Sequence, residues 1–415
     1  MTYIEFFDKT AIENLCACLS MLPDEVILVG DNEKVMKRHI ANYEKVFGNR
    51  GQEVHFSCRT VSRWETEKVV QVLDEIVNNY EDCVFGITGG DEIVAFALGI
   101  VYERNKDKNI QVHKISIQNN TIYDCDMDGK TIDLHTPQLS VEENIQIYGG
   151  EIVYSDVNGG KTYLWDLNPA FVKDVQTMWE ICKEKPRDWN AQIGVFEVIG
   201  EVGTTSEDGL TVTASVGAVK NYYQNHTGKY RIQKGLIKNL LSKGLLKDFD
   251  ETSETVSITY KNPQVKKCLT QAGQALEMKV YLTAKQLLNE EGAPVYNDVV
   301  NGVEIDWDGK YHGDVEGGFD TTNEIDVFLM HNLIPVLVSC KNGDVTADEL
   351  YKLSTVAERF GGKYAKKVLV ASVINELRQS KTLLQRAHDM GIVVITDKDL
   401  MNDTKFAKKL KTVWS

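Results

Sequence analysis

The sequence predicts an α/β protein in three parts: a doubly wound N-terminal domain, a small connector and a second α/β domain. Between residues 1 and 115, apolar runs of strand length alternate with amphipathic helical stretches. This order is typical of a parallel sheet with helices on both faces. From about residue 273, strand and helix patterns resume around clustered acids. We therefore expect domains at residues 1–155, 156–272 and 273–415.

Composition narrows the class of protein. The chain has 415 residues, of which 42% are hydrophobic, so it can bury two or three cores. A net charge of −15 and a pI near 5.1 argue against a general nucleic-acid coat protein. No N-terminal signal region or run of membrane-spanning length is present, so we expect a cytoplasmic protein without membrane contact. None of the eight cysteines forms a CxxC pair, which argues against a zinc site.

The alternation in the N-terminal domain is regular. Five strands are predicted, at residues 3–7, 25–29, 53–58, 83–87 and 111–117. Four helices are predicted between them, at residues 11–22, 34–47, 65–80 and 92–103. Ligands of such sheets bind beyond the carboxyl ends of the strands.

Two of these strand ends carry small and polar residues. The first is Gly30, Asp31 and Asn32, and the second is Thr88, Gly89, Gly90 and Asp91. The second leads directly into a helix, so its backbone N–H groups are placed to hold phosphates and its glycines permit close approach. It is neither a P-loop nor a GxGxxG motif. A simple strand-to-helix turn is the alternative interpretation.

After residue 115 the pattern becomes less regular. A hairpin is predicted at residues 121–134 around Asp128-Gly129, followed by a helix opened by a capping box of Ser140 and Glu143. In the connector we predict a helix at 169–182, a loop at 186–190, an apolar run at 193–199, a helix at 232–246 and a strand at 255–260. The last two suggest a winged-helix-like unit. Its lysines are interpreted as a solvated face in preference to a nucleic-acid surface: Lys234, Lys238, Lys243 and Lys247.

The C-terminal domain is organised around a predicted hairpin. Apolar runs at 325–330 and 336–338 are joined through His331-Asn332 and Pro335. Glu324 and Asp326 open the first strand, and Lys341 closes the second. Strand alternation places the two acids on one face, and the hairpin brings them to the lysine. Carboxylates suit Mg²⁺ or Mn²⁺, and an ammonium beside them can stabilise charge developing on a phosphate.

This arrangement resembles the PD-(D/E)xK nuclease core. The flanking segments follow that order, with a helix at 275–289 carrying Glu277, a strand at 303–307, a helix at 346–360 and a strand at 367–373. Ser339 stands where the family has its second carboxylate. Glu324 can take its place, and Glu277 can add a third carboxylate. The alternative is a charged strand end without catalytic function. A helix at 377–390, a strand at 392–396 and a lysine-rich helix at 405–414 complete the domain.

The N-terminal strand, Thr-Gly-Gly turn and helix resemble the CARF domain, the Rossmann-like sensor of cyclic oligoadenylates in type III CRISPR systems. Together with the nuclease-like domain, they make the chain similar to the CRISPR ancillary nucleases of the Card and Can type. That resemblance implies a homodimer, activation by cyclic tetra-adenylate, and metal-dependent cleavage of single-stranded RNA or DNA, with possible nicking of duplex DNA. Two alternatives remain: a non-catalytic nucleotide sensor, and a structure-selective DNA nuclease that needs no cyclic nucleotide.

Overall fold

The computed structural model describes residues 1–125, 130–132, 137–156, 160–226, 228–313, 318–373 and 378–415. Its first part is a seven-stranded sheet in the order β3-β2-β1-β4-β5-β6-β7, in which β1 to β5 are parallel and β5, β6 and β7 are antiparallel. The strands are β1 (Thr2–Phe6), β2 (Glu25–Gly30), β3 (His55–Thr60), β4 (Cys83–Gly86), β5 (Ile110–Ser116), β6 (Thr121–Asp124) and β7 (Thr131–Ile132). The helices are α1 (Cys16–Met21), α2 (Glu33–Asn49), α3 (Thr66–Asn79) and α4 (Glu92–Arg104).

Alternation along these strands builds two cores. Val26 and Leu28 of β2 face α2, whereas Ile27 and Val29 face α3 and α4. Helices therefore cover both faces, and the predicted doubly wound sheet is confirmed. Part of the predicted hairpin, the Asp128-Gly129 turn and residues 133–134, lies outside the described residues. On either side of that gap, Ile122 pairs with Ile132.

A short helix and strand lead from this sheet into the rest of the chain. They are α5 (Val141–Ile147) and β8 (Glu151–Ile152). The predicted capping box is present, because Ser140 Oγ accepts from the backbone N–H of Glu143 and the Glu143 carboxylate accepts from the Ser140 N–H. β8 pairs with a strand of the C-terminal sheet, so the segment before residue 155 contributes to both sheets. The domain boundaries stay a prediction.

The connector has an antiparallel sheet in the order β11-β12-β10-β9. Its elements are α6 (Pro169–Cys182), α7 (Pro186–Val202), β9 (Thr204–Thr205), β10 (Thr211–Ser215), α8 (Val216–Asn225), α9 (Lys234–Ser242), β11 (Leu246–Glu251), β12 (Thr255–Tyr260) and α10 (Pro263–Cys268). The predicted loop at 186–190 is wrong. These residues begin α7, because proline fits the first helical turn, where its missing N–H has no partner to lose, and Trp189 is buried.

The winged-helix-like interpretation agrees with the order of these elements, in which α7, β10, α8 and α9 precede the β11–β12 hairpin. The predicted helix at 232–246 ends earlier, at Ser242, because Gly244 adopts a φ of 70° before β11 begins. The four lysines named above are all exposed.

The C-terminal sheet has the order β17-β16-β15-β14-β13-β8. Its elements are α11 (Gln274–Gln286), β13 (Asp298–Asp306), β14 (Thr322–His331), β15 (Ile334–Lys341), α12 (Ala347–Gly361), β16 (Lys366–Ala371), α13 (Arg378–Asp389), β17 (Ile392–Ile395), α14 (Asp397–Leu400) and α15 (Asp403–Lys411). β13, β14 and β15 are antiparallel, whereas β15, β16 and β17 are parallel. The predicted order of helices and strands is confirmed.

The central hairpin differs from the prediction in one respect. The turn consists of Asn332, with a φ of 57°, and Leu333. Pro335 is not part of it. Pro335 lies within β15 opposite Met330, where β14 and β16 flank the strand. The start of the predicted helix at 377–390 lies outside the described residues. In the parts of the chain that the structure describes, no helix has both the length and the apolar character needed to cross a lipid bilayer.

Candidate functional site

The hairpin brings Asp326 to the end of β15, as predicted. The last registered pair of the two strands is Val327 with Val338, one step from Asp326 and Ser339. Asp326 Oδ2 accepts a hydrogen bond from the Cys340 backbone N–H at 2.5 Å and from Ser339 Oγ at 3.3 Å. Ser339 therefore orients Asp326 through its hydroxyl, in the position where the family pattern has a carboxylate.

Lys341 lies at the end of β15 and faces a helix start. Its Nζ is 3.0 Å from Glu349 Oε2, in the first turn of α12. Burial opposes the charged form, but Asp326 and Glu349 outweigh it and raise the pKa of Lys341. Lys341 is thus held as a cation. Glu349 was not singled out from the sequence, although an acid in the first turn of a helix following the lysine strand is a usable signal.

Glu277, in the first turn of α11, lies near Asp326 and Lys341. The region between these three side chains is called the cleft below. Burial, followed by the charges of Asp326 and Glu324, raises its pKa well above the usual range. Burial also raises the pKa of Asp326 to about 6, against the hydrogen bond from Cys340. These carboxyl groups are close enough to disfavour each other's ionisation.

The buried side-chain amide of Asn301 forms hydrogen bonds with residues of the cleft. Asn301 of β13 donates through Nδ2 to the backbone oxygen of Asp326 at 2.9 Å and also hydrogen-bonds Glu277. Its Oδ1 accepts from Gln274 Nε2 at 2.9 Å and Trp165 Nε1 at 3.0 Å. Asn301 was not predicted as a site residue, because an asparagine in the middle of a strand gives no signal until its neighbours are known.

Two further acids lie on this side of the sheet. Glu324 is exposed and stands opposite Glu304 in the register of β13 and β14. Glu304 is buried, and its carboxylate lies 3.5 Å from Lys161 Nζ. Among the described residues, no group of three or more histidine, cysteine or acidic side chains is close enough to hold a metal ion in this arrangement. The assignment of Glu324 and Asp326 as metal ligands therefore stays a prediction.

The donor chemistry nevertheless fits a hard divalent cation. Glu277, Glu324 and Asp326 supply carboxylate oxygens, the ligands that Mg²⁺ and Mn²⁺ prefer. Burial is the first cause of the raised pKa values of Glu277 and Asp326, and repulsion from neighbouring carboxylates adds to it. A bound cation would relieve this repulsion.

The second candidate site is a cavity of about 510 Å³ at the carboxyl edge of the N-terminal sheet. Five of the seven residues predicted there line it: Gly30, Asp31, Asn32, Gly90 and Asp91. Thr88 and Gly89 do not. Thr88 Oγ1 accepts from the Ile115 backbone N–H at 2.9 Å, and a Cβ on Gly89 would lie 2.8 Å from Asp8 Cβ. Both residues therefore serve packing within the sheet edge.

Several of the lining side chains are already engaged. Asn32 caps α2 and Asp91 caps α4, each accepting a backbone N–H at 3.1 Å. Gly90 has a φ of 95°, and an added Cβ would lie 2.3 Å from Phe6 Cβ, so only glycine fits. The prediction missed Arg63, whose Nε lies 2.6 Å from Asp31 Oδ2 and 3.9 Å from Asp91 Oδ2.

Comparisons with known proteins agree with this architecture. Residues 267–413 match the family model of the Card1-like endonuclease domain. A comparison of the sequence with curated proteins finds no match. The structure of protein VC1899 from Vibrio cholerae aligns with a TM-score of 0.72 at 15% identity, covering 99% of each chain. Can2 from Sulfobacillus thermosulfidooxidans, solved in complex with cyclic tetra-adenylate, aligns with a TM-score of 0.66 at 16% identity, covering 100% of this chain and 99% of Can2.

The structural comparisons show that the fold is shared along the whole chain. The family model shows that the C-terminal part is similar to an endonuclease domain. Residues 267–413 match the Card1-like endonuclease domain and the whole chain has the fold of VC1899 and Can2, which confirms the resemblance to the CARF-domain CRISPR nucleases of the Card and Can type.

Proposed function

We propose that this protein is a cytoplasmic endonuclease of type III CRISPR defence that cyclic tetra-adenylate activates and that requires Mn²⁺ or Mg²⁺. The observation that carries the proposal is the meeting of Glu277, Asp326 and Lys341 in one cleft of the Card1-like endonuclease domain. The acids come from a helix and a strand, and carboxylates brought together in this way suit the metal ion of a phosphodiesterase.

Within the cleft, each side chain has a distinct role. Asp326, Glu324 and Glu277 would hold the divalent ion through their carboxylate oxygens. A bound ion would supply Lewis-acid stabilisation to the scissile phosphate and help to ionise the attacking water. Glu324 is exposed, so its carboxylate can swing toward Asp326 without breaking a buried contact. Lys341 stays protonated and stabilises negative charge developing on the phosphate.

The substrate is single-stranded RNA or DNA, with possible nicking of duplex DNA. The sensor is the cavity containing Gly30, Arg63 and Gly90. Two supports lead to cyclic tetra-adenylate as its ligand: the likeness to Can2, whose structure holds that ring, and the position of the cavity beside the N-termini of α2 and α4. A homodimer would present two copies of this cavity to one two-fold symmetric ring.

A cleavage assay tests the proposal. Purified protein is incubated with single-stranded RNA, single-stranded DNA and supercoiled plasmid, each with Mn²⁺, Mg²⁺ or EDTA, and with cyclic tri-, tetra- or hexa-adenylate or none. We expect cleavage only with a divalent ion and cyclic tetra-adenylate. Cleavage in EDTA would contradict metal dependence, and equal cleavage without any cyclic nucleotide would support the structure-selective nuclease instead.

Ser339 supports one alternative, a sensor without catalysis. The position that normally bears a carboxylate bears a hydroxyl, which donates to Asp326 rather than binding a cation. The same assay separates the two functions. A non-catalytic sensor would bind cyclic tetra-adenylate by titration calorimetry and leave all three substrates intact with every metal.

A further inference from the structure

A second and larger cavity lies between the N-terminal sheet and the C-terminal domain. Its volume is about 1040 Å³. Lys9, Arg38 and His39 line it from the N-terminal side, and Arg359 and Lys367 from the C-terminal side. Lys363 adds a further cation, whereas the described residues that line the cavity include only two carboxylates, Asp308 and Glu358. In a chain of net charge −15, this is a local excess of positive charge.

These cations are poorly neutralised by the protein. Within the described residues, Lys9 and Arg38 form no ion pair. Arg359 donates to two backbone oxygens, that of Tyr148 at 2.5 Å and that of Trp307 at 3.0 Å. Lys367 donates to the backbone oxygen of Met390 at 2.5 Å. Of these cations, Lys363 is the one that pairs with a carboxylate in the described part of the chain, with its Nζ 2.8 Å from Glu13 Oε1.

The neighbouring cations affect the pKa values of His39 and Arg359. Burial, then the charges of Arg38 and Arg359, lowers the pKa of His39 to about 4. Burial and Arg38 also lower the pKa of Arg359. Burial is the first cause of both shifts and the like charges add to it, and cations grouped in this way favour an anion. A bound anion would offset this repulsion.

Two uncharged groups add an independent observation. Ser354 and Trp307 line the cavity, and Ser354 Oγ and Trp307 Nε1 are buried without a hydrogen-bond partner in the described part of the chain. Buried donors of this kind are rare unless a ligand or water satisfies them. A hydroxyl, an indole N–H and a guanidinium are all donors suited to phosphate oxygens.

We propose that this cavity binds a nucleoside polyphosphate through its phosphate groups, at a site separate from the sensor cavity at the sheet edge. The volume is at the upper end of small-molecule sites, about 300–1,000 Å³, and holds a base and sugar beside the phosphates. The several cations match two or three linked phosphates better than one.

The position gives such a ligand access to both functional regions. Lys9 and Val35 line this cavity and the sensor cavity alike. Ser354 and Arg359 belong to α12, whose first turn carries Glu349, the partner of Lys341. The inference concerns binding alone and does not depend on whether the cleft cleaves nucleic acid.

Titration calorimetry on the full chain in EDTA tests the inference. The ligands are ATP, inorganic diphosphate and adenosine, and a 5′-phosphorylated trinucleotide is compared with its 5′-hydroxyl form to separate nucleotides from oligonucleotide ends. Arg38→Glu removes a cation that lines the cavity. Lys37→Glu is the matched control, because Lys37 is the preceding residue of α2 and pairs with Glu33 at 2.6 Å, outside the cavity.

We expect ATP and diphosphate to bind the wild type and the Lys37→Glu variant, and adenosine not to bind. Arg38→Glu should lower the affinity for ATP and for diphosphate by about tenfold or more. A Ser354→Ala variant, which removes one donor and leaves all charges, should weaken ATP by a smaller factor. The inference is overturned if the wild type binds neither ATP nor diphosphate, if Arg38→Glu binds them normally, or if adenosine binds as well as ATP. It is also overturned if cyclic tetra-adenylate at saturation displaces ATP, since the two would then share one site.

Discussion

At the residue scale, the protonation of Asp326 links pH to both stability and metal binding. Its pKa is raised from 3.8 to about 6 by burial and by Glu324. A carboxyl group whose pKa is higher in the folded state favours folding while protonated, so this contribution is present below about pH 4 and is lost as the pH rises through about 6. A divalent ion needs the ionised carboxylate and therefore competes with the proton.

We accordingly expect the affinity for Mn²⁺ to increase between about pH 5 and pH 7, and the increase in Tm caused by Mn²⁺ to grow over the same range. Titration calorimetry and thermal melts across this range measure both. In Asp326→Asn the pH dependence of both quantities should flatten. A wild-type affinity that is independent of pH would show that Asp326 does not bind the ion.

Asp326 and Lys341 themselves give the most direct test of the cleft. Asp326→Asn removes a metal ligand, and Lys341→Ala removes the cation near the scissile phosphate. Each should reduce cleavage by at least about a hundredfold and leave the affinity for cyclic tetra-adenylate unchanged, because the sensor cavity is in another domain. Lys352→Ala, an exposed lysine of α12, is the control. Near-normal turnover in either cleft variant would exclude this active site.

Ser339 stands where the family pattern has a carboxylate, and this difference gives a third test of the site. If Glu324 replaces the missing carboxylate, Glu324→Gln should be as damaging as Asp326→Asn. Ser339→Ala removes only the 3.3 Å hydrogen bond to Asp326 and should change cleavage by less than about fivefold. Steady-state rates with saturating Mn²⁺ measure the difference. Harmless Glu324→Gln together with higher metal affinity in Ser339→Glu would reverse the assignment of ligands.

Residues of the site differed in how far the sequence could predict them. Asp326 and Lys341 come from one hairpin, so local alternation and register were sufficient to bring them together. Asn301 and Arg63 act on residues from other elements, and nothing near them in the chain marks their role. Thr88 was placed in the sensor site because its loop looks suitable, but its hydroxyl bonds β5 instead.

At the scale of elements, order and type were predictable and some boundaries were not. Apolar runs and turn residues predicted the strands of the two sheets except β8. The loop predicted at 186–190 failed because a proline and an aspartate were read as turn residues, whereas both are favourable in the first turn of a helix. The pairing of β8 with β13 was not predictable, since two residues carry no pattern.

One contact between elements joins the N-terminal part of the chain to the C-terminal part. Glu13, in the 3₁₀ turn Ala11–Asn14, accepts a hydrogen bond from Tyr364 Oη at 2.6 Å and pairs with Lys363, just beyond the end of α12. The same 3₁₀ turn packs against the sensor loop, since a Cβ on Gly89 would lie 3.3 Å from Glu13 Cβ. α12 thus runs from this contact to the partner of Lys341.

Tyr364→Phe should lower the free energy of unfolding by about 1.5–3 kcal/mol, because the buried Glu13 carboxyl group loses a donor. It should also reduce cleavage at saturating activator without changing activator affinity. Urea denaturation and the cleavage assay measure the two effects. Tyr351→Phe is the control, since Tyr351 is an exposed tyrosine of α12. Full activation in Tyr364→Phe would show that this contact does not transmit the signal.

At the scale of the whole molecule, the sensor cavity sets the expected assembly. A ring with two-fold symmetry matches the isologous interface of a homodimer, in which each protomer presents the same surface. Glycine substitutions test this poorly, because a side chain on Gly90 would collide with Phe6 in the core. Arg63 is the better probe, since it lines the cavity and is partly exposed at its rim.

We expect calorimetry to give one cyclic tetra-adenylate per two chains, and light scattering to give a dimer with and without the ring. Arg63→Ala should lower the affinity for the ring by about tenfold or more. Its phosphates lose a cation and meet the unpaired charges of Asp31 and Asp91. Arg59→Ala is the control, since Arg59 lies on β3 outside the cavity. A stoichiometry of one ring per chain would contradict a cavity shared across the two-fold axis, because each protomer would then hold its own ligand. Unchanged affinity in Arg63→Ala would contradict the assignment of this cavity as the site of the ring.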